Sequence, residues 1–107
     1  KTFETSAPMG PWIIPAAQIP DPHNLDIGLW VNSEQMQNSN SSNLIFNINE
    51  QIEFLSKRVT LRPGDVISTG TPSGVGRPRG IFLKPGDTVR IVIEGIGTLE
   101  NPVVQGE

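Results

Sequence analysis

Cysteine is absent from the 107 residues, and histidine occurs once, as His23. Without cysteine, the chain has no disulfide framework, no thiolate metal site and no cysteine nucleophile. A single histidine cannot build a histidine-based zinc site, and any histidine-dependent triad would rest on His23 alone. Its setting, Asp21-Pro22-His23-Asn24, is typical of a surface turn. We therefore predict that His23 is a turn residue rather than a catalytic one.

Charge and long apolar runs are also scarce. Charged residues make up 18% of the chain, and 8 basic against 11 acidic side chains give a net charge of −3. This balance offers no electrostatic basis for binding nucleic acid or an anionic membrane, and no apolar run is long enough to span a bilayer. We expect neither partner. A cytoplasmic location is expected because cysteine and visible targeting signals are missing.

Glycine and proline are abundant, with 11 and 10 residues respectively. This composition argues against a helical bundle and favours short strands joined by turns. The length suits one domain with a modest core. The sequence thus predicts a mostly β fold with one helix, in the α+β class.

The first half of the chain contains two predicted strand regions. Trp12–Ile14 is predicted to form a short strand. Leu25–Gln37 is predicted to form a hairpin with Asn32-Ser33 at its tip, followed by a polar loop over Asn38–Asn43. Its first strand alternates, which places four apolar side chains on one face: Leu25, Ile27, Leu29 and Val31.

One helix is predicted from about Ile48 to Arg58. Asn47 stands at the N-cap position, and Glu50 follows three residues later, as a capping box requires. The apolar residues of this segment recur at helical spacing and form one stripe.

The second half is predicted to be β structure organised by two similar turns. The segments 61–67 and 83–89 are near-copies, each with Pro-Gly at the centre of a type II turn. Strands are predicted at Val66–Ser68, Val89–Ile93 and Thr98–Val104.

The string Ser68-Thr69-Gly70-Thr71-Pro72-Ser73-Gly74-Val75-Gly76 is rich in glycine and hydroxyl groups. It has neither the lysine of a Walker A loop nor the spacing of a dinucleotide fingerprint. Two interpretations remain open. The segment is either a plain glycine-rich connection or a pocket of backbone amides and hydroxyls for a carboxylate or phosphate.

Several strings together resemble the second half of fumarylacetoacetate hydrolase family proteins, and the resemblance covers nearly the whole chain. The stretch PGDVISTGTPSGVG is its most specific part. The matching segments are Lys1–Thr5, Pro8–Ile13, Ile19–Pro22, Leu29–Asn32, Ile45-Phe46, Leu61–Gly76 and Phe82–Asp87.

The resemblance implies a mixed β-sheet roll and a homodimeric enzyme that uses a divalent metal, usually Mg²⁺, with Mn²⁺ or Ca²⁺ as alternatives. Family members act on 2-oxo acids or acylpyruvates by C–C bond hydrolysis, decarboxylation or isomerisation, often in the breakdown of aromatic compounds. A metal suits such substrates because the 2-oxo-carboxylate offers it two oxygens.

Site residues carry over from the family by position. Lys1 matches the active-site lysine, whose ammonium group can compensate negative charge. Thr71, next to Gly70, matches the substrate-binding threonine of the glycine-rich loop. Thr5 falls where some members place a hydroxyl near the metal region.

The family's metal ligands, two glutamates and an aspartate, belong to a segment before the lysine. We therefore expect residues 1–107 to be the C-terminal part of one catalytic domain, without metal ligands of their own and inactive alone. The alternative is a catalytically inactive β domain that serves in dimerisation or binding.

Overall fold

One antiparallel sheet and one helix make up the regular structure of residues 3–106, which the computed structural model describes. The sheet has four strands in the order β2-β1-β3-β4. The α+β class predicted from the sequence is confirmed. The elements are β1 (Asp26–Val31), β2 (Glu34–Asn40), α1 (Ile48–Ser56), β3 (Thr88–Ile93) and β4 (Gly97–Pro102), with single 3-10 turns at Ala16–Gln18, Ser41–Asn43 and Arg77–Arg79.

One face of the sheet is apolar, as the alternating pattern predicts. Residues directly opposite each other on neighbouring strands share a face, so the register decides which side chains meet. Aliphatic residues of β1 lie opposite aliphatic residues of β3 in three pairs: Ile27 with Ile93, Leu29 with Ile91 and Val31 with Val89. All six are half-buried, and we call this surface the aliphatic face.

The opposite face carries an aromatic and a basic side chain. Trp30 lies opposite Arg90, and the guanidinium carbon stands 4.6 Å from the centre of the indole ring. A β-carbon on Gly28 would meet the Trp30 ring at 2.3 Å, so the missing side chain makes room for the indole. Trp30 is therefore a sheet residue with a cation–π partner.

The hairpin between β1 and β2 turns at Asn32, as predicted, and is attached to β3. The Asn32 side chain donates to Asp87 Oδ1 at 3.0 Å and accepts from the Thr88 amide at 2.9 Å. Asn32 has φ 55°, a left-handed conformation that asparagine tolerates better than most residues. The tip therefore fixes β1 beside β3.

The predicted capping box of α1 is confirmed. Asn47 Oδ1 accepts from the Glu50 amide at 2.9 Å, and Glu50 Oε2 accepts from the Asn47 amide at 2.8 Å. The helix ends at Ser56 rather than at Arg58, whose guanidinium lies 3.6 Å from the centre of the Phe54 ring. Arg58 instead donates to the Phe54 carbonyl, a bond that covers an unpaired acceptor of the last turn.

The two Pro-Gly turns are confirmed as the same local solution. The amides of Asp65 and Asp87 donate to the carbonyls of Arg62 and Lys84, both at 3.0 Å. Each aspartate side chain also accepts the amide at the start of its own turn, at 2.7 and 2.8 Å. In Asp87, the bonds from the Asn32 side chain and the Lys84 amide hold the pKa below its ordinary value of 3.8.

Other predicted elements also differ from the structure. Trp12–Ile14 and Val66–Ser68 are outside the strands, because neither segment joins a ladder. The polar segment Asn38–Asn43 is not a loop: β2 continues to Asn40, paired with Asp26, and a 3-10 turn follows. The last strand ends at Pro102, two residues before the predicted Val104.

Apolar side chains remain accessible throughout residues 3–106. No hydrophobic side chain of this region is fully buried, and Ile13 and Ile45 are 91% and 90% exposed. No helix in the region combines the length and apolar character needed to cross a bilayer.

Candidate functional site

The glycine-rich loop, Ser68–Gly76, lies against the edge strand β2. A β-carbon on Gly74 would stand 2.0 Å from the Met36 carbonyl oxygen, so only glycine allows this approach. Gly74 has φ 105° and Gly70 has φ 117°, both in the region that disfavours residues with a β-carbon. The loop is thus shaped by its glycines and seated on the strand.

Gln37 of β2 holds the loop in place through two hydrogen bonds. Its side-chain nitrogen donates to the Pro72 carbonyl at 2.7 Å and to Thr71 Oγ1 at 3.0 Å. Gln37 is only 8% exposed, one of two buried polar residues in the described part of the chain. The amide group of a buried residue therefore connects the middle of the loop to the sheet.

A β-bulge sets the direction of the Gln37 side chain. Trp30 pairs with Gln35 and Leu29 pairs with Gln37, which leaves Met36 as an extra residue in β2. Gln37 consequently shares the aliphatic face with Leu29, whereas Gln35 lies on the opposite face with Trp30. Sequence reasoning did not single out Gln37, since no pattern in the chain marks the bulge.

Thr71 and Gly70, the predicted substrate-binding residues of the loop, are adjacent and exposed. The Thr71 hydroxyl is fixed on one side by Gln37 and open on the other. Such a hydroxyl, in a chain of glycine-rich backbone amides, has the chemistry to hydrogen-bond a carboxylate or a carbonyl oxygen.

Thr5, the remaining predicted substrate-binding residue, lies in the N-terminal segment of the chain. It is exposed, with φ 64°, a rare conformation for a β-branched residue. Among residues 3–106, no hydrogen bond joins Thr5 to the loop. Lys1, the predicted catalytic residue, lies outside the described residues.

His23 supports the helix. Its Nε2 accepts from the Ile48 amide at 3.1 Å, and Nδ1 lies 3.8 Å from the Asp21 carboxylate. The side chain is 31% exposed, so this turn residue is partly covered by the helix start. The bond satisfies an amide that the first turn of a helix leaves unpaired.

Metal-binding side chains are not clustered in the described region. Within residues 3–106, no three histidine, cysteine, aspartate or glutamate side chains are grouped closely enough to hold an ion. These residues do not form a metal site by themselves.

A groove of about 730 Å³ runs between α1 and the start of the loop. Phe46, Phe54 and Leu55 form much of its apolar wall, and Ile67 and Ser68 close the loop side. The loop therefore borders the aliphatic face at Gln37 and this groove at Ser68.

The sheet, the loop and the matched sequence together define a class of protein. The profile described as fumarylacetoacetate (FAA) hydrolase C-terminal matches residues 1–104. The chain belongs to the fumarylacetoacetate hydrolase family.

Particular relatives cover nearly all of this chain. The mitochondrial oxaloacetate tautomerase of Xenopus laevis is 49% identical over 106 residues, which are 97% of this chain and 33% of that protein. The crystal structure of maleylpyruvate hydrolase from Sphingobium sp. SYK-6 with manganese(II) and pyruvate has a TM-score of 0.85. The two sequences are 44% identical, and the match covers 92% of this chain and 35% of the hydrolase.

A third relative catalyses a different reaction. The 2-hydroxyhepta-2,4-diene-1,7-dioate isomerase of Mycobacterium marinum has a TM-score of 0.79 and 44% identity, over 92% of this chain and 36% of that one. The chain thus spans about a third of the length of these relatives. By name, these three relatives are a tautomerase, a hydrolase and an isomerase.

Proposed function

We propose that the protein is a divalent-metal-dependent enzyme that acts on a 2-oxo acid or acylpyruvate by hydrolysis, decarboxylation or isomerisation. One observation carries the proposal. The chain holds an ordered glycine-rich loop with an outward hydroxyl, on a fold that superimposes on a hydrolase crystallised with manganese(II) and pyruvate. The tautomerase and the isomerase among the relatives support the substrate class and leave the reaction type open.

The role of Thr71 in this proposal is to bind substrate. Its hydroxyl donates to a carboxylate or ketone oxygen, while Gly70 gives the backbone the positive φ that brings the loop to the substrate. Lys1 supplies an ammonium group that compensates negative charge on the substrate. Thr5 is proposed as a further hydroxyl at the edge of the same site.

The metal is proposed to be Mg²⁺ or Mn²⁺, held by residues outside 3–106, since this region has no ligand cluster. We propose accordingly that the 107 residues form the C-terminal part of a longer catalytic domain. Two observations support this: the chain spans about a third of its relatives, and its apolar side chains are accessible.

A homodimer in the cytoplasm completes the proposal. β2 and β4 are the edge strands of the sheet, and proteins usually cover such edges with another segment or a second copy.

Turnover of acetylpyruvate tests the function. A polypeptide that carries these residues behind the upstream segment is assayed with and without Mn²⁺, as wild type and as T71V, K1A and T71S. We expect metal-dependent turnover, a large loss of kcat in K1A, a loss in T71V and near-wild-type rates in T71S, which keeps the hydroxyl.

Wild-type rates in T71V would remove the substrate role of that hydroxyl. If neither turnover nor metal-dependent binding of oxalate or pyruvate is found, the chain is better described as an inactive dimerisation or binding domain.

A further inference from the structure

The Pro72 carbonyl fixes the orientation of the Gln37 side-chain amide. The Pro72 carbonyl oxygen can only accept, and it lies 2.7 Å from the Gln37 side-chain nitrogen. The NH₂ group, not the amide oxygen, must therefore face the loop. Its second hydrogen is available to Thr71 Oγ1, 3.0 Å away.

This orientation restricts the directions in which the Thr71 hydroxyl can donate. A hydroxyl group has one proton to donate and two lone pairs to accept with. Because Gln37 occupies an acceptor position of Oγ1, the proton of Thr71 must point away from Gln37. Thr71 is exposed, so the proton is free to meet a ligand on the side away from Gln37.

The surroundings of Gln37 keep the arrangement in place. Gln37 is 8% exposed on the aliphatic face, where water competes little for its amide hydrogens. Gly74 holds the next part of the loop against Met36, beside Gln37 in the same strand. The amide and the hydroxyl are thus supported from both the strand and the loop.

We infer that Gln37 is a positioning residue that turns the Thr71 hydroxyl proton away from the strand, and so favours a hydrogen-bond acceptor of the ligand, a carboxylate or enolate oxygen, at this point. The inference rests on the proposed function, because it takes Thr71 as the substrate-binding hydroxyl. It adds a buried residue that acts on the ligand through Thr71 rather than by direct contact.

The test measures oxalate binding by calorimetry. Oxalate is a planar dianion that resembles the enolate of pyruvate. The protein is the Mn²⁺-loaded polypeptide that carries these residues behind the upstream segment, called the full-length protein below. The variants are T71V, Q37M and the double variant. Since a hydrogen bond to a charged group is lost, we expect T71V to weaken binding roughly tenfold or more. Q37M should weaken it about three- to tenfold because the hydroxyl proton is no longer directed at the ligand.

The double variant separates positioning from general structural support. If Gln37 acts through Thr71, the double variant binds oxalate about as T71V does, since the valine side chain has no hydroxyl proton to orient. If Gln37 only stabilises the fold, the two losses multiply, and the inference is overturned. Thermal unfolding of each protein establishes that it is folded at the assay temperature.

Two further variants cover the case in which Q37M does not fold. Q37E keeps the size of the side chain but removes the donor that serves both Thr71 and the Pro72 carbonyl, so it should weaken oxalate binding at least as much as Q37M. Q35E places the same charge on the opposite face of β2 and should leave oxalate affinity unchanged.

The outcomes for the two proposals are distinct. If T71V binds oxalate more weakly while Q37E binds it as the wild type does, only the role of Gln37 is overturned. An unaffected T71V overturns the proposed substrate role of the hydroxyl itself.

Discussion

Replacing Gly74 by alanine tests whether the loop is held against β2 as the structure shows. Two effects oppose a side chain there. Gly74 has φ 105°, which costs an alanine about 1–2 kcal/mol in backbone energy. Its β-carbon would also stand 2.0 Å from the Met36 carbonyl oxygen and 3.0 Å from the carbonyl carbon. Both atoms belong to the backbone of β2, so they cannot rotate away as a flexible side chain could.

Gly64→Ala provides the matched control. Gly64 has φ 96°, close to that of Gly74, but nothing lies within 4 Å of the position its β-carbon would take. G64A should therefore lose only the backbone contribution, about 1–2 kcal/mol. G74A adds the displacement of packed backbone, which typically costs about 1–3 kcal/mol, for a total of about 2–5 kcal/mol.

Urea unfolding of the full-length protein measures the difference, and oxalate binding reports on the loop. Since a displaced Gly74 moves the loop away from Gln37, G74A should also weaken oxalate binding. G64A, whose added methyl group meets nothing within 4 Å, should keep wild-type affinity. Equal destabilisation by the two variants would refute the close approach of Gly74 to Met36, and with it the packing of the loop against β2.

Three further predictions concern the frame around the site. Asn47→Ala removes the cap of α1 and should lower the free energy of unfolding by about 1 kcal/mol, measured in urea; an unchanged midpoint would contradict the capping role. Trp12→Phe removes the 2.8 Å bond from the indole nitrogen to the Ile96 carbonyl and should cost about 1 kcal/mol, with Phe3→Leu as an exposed aromatic control. Asp87 has a lowered pKa, so its contribution to stability is complete above pH 3.8 and is lost as the pH falls below that value. D87N should therefore lose less stability on acidification than the wild type, measured as the urea midpoint at a series of pH values. If the midpoints of D87N and the wild type fall equally as the pH is lowered, the role of the Asn32 bond is contradicted.

Local patterns predicted those elements whose causes are local. The capping box at Asn47 and Glu50 is complete within four residues, and the Pro-Gly turns close on their own aspartates. The hairpin at Asn32 follows from alternation and a residue that tolerates positive φ. The substrate-binding roles of Thr71 and Gly70 come from the family resemblance and stay predictions; the structure shows that the loop carrying them is anchored to β2.

The sequence predictions were wrong where distant partners decide the outcome. Trp12–Ile14 has strand-forming residues but no neighbouring ladder; its indole bonds to Ile96, 84 residues away. Asn38–Asn40 has loop-forming residues, yet pairing with β1 extends the strand through it. Gln37 could not be found, because the bulge at Met36 that turns it toward the loop depends on the pairing of two strands.

The placement of Lys1 and the location in the cell stay predictions. Lys1 lies outside the described residues, so its role depends on the K1A assay.

Oxalate binding by two polypeptides tests the central claim most directly. One is the 107-residue chain and the other carries the same residues behind the upstream segment, each titrated with and without Mn²⁺. We predict that only the longer polypeptide binds oxalate, that it requires the metal, and that T71V weakens the binding roughly tenfold or more. Equal binding by the two polypeptides, or metal-independent binding that T71V leaves unchanged, would contradict a shared metal-dependent 2-oxo acid site.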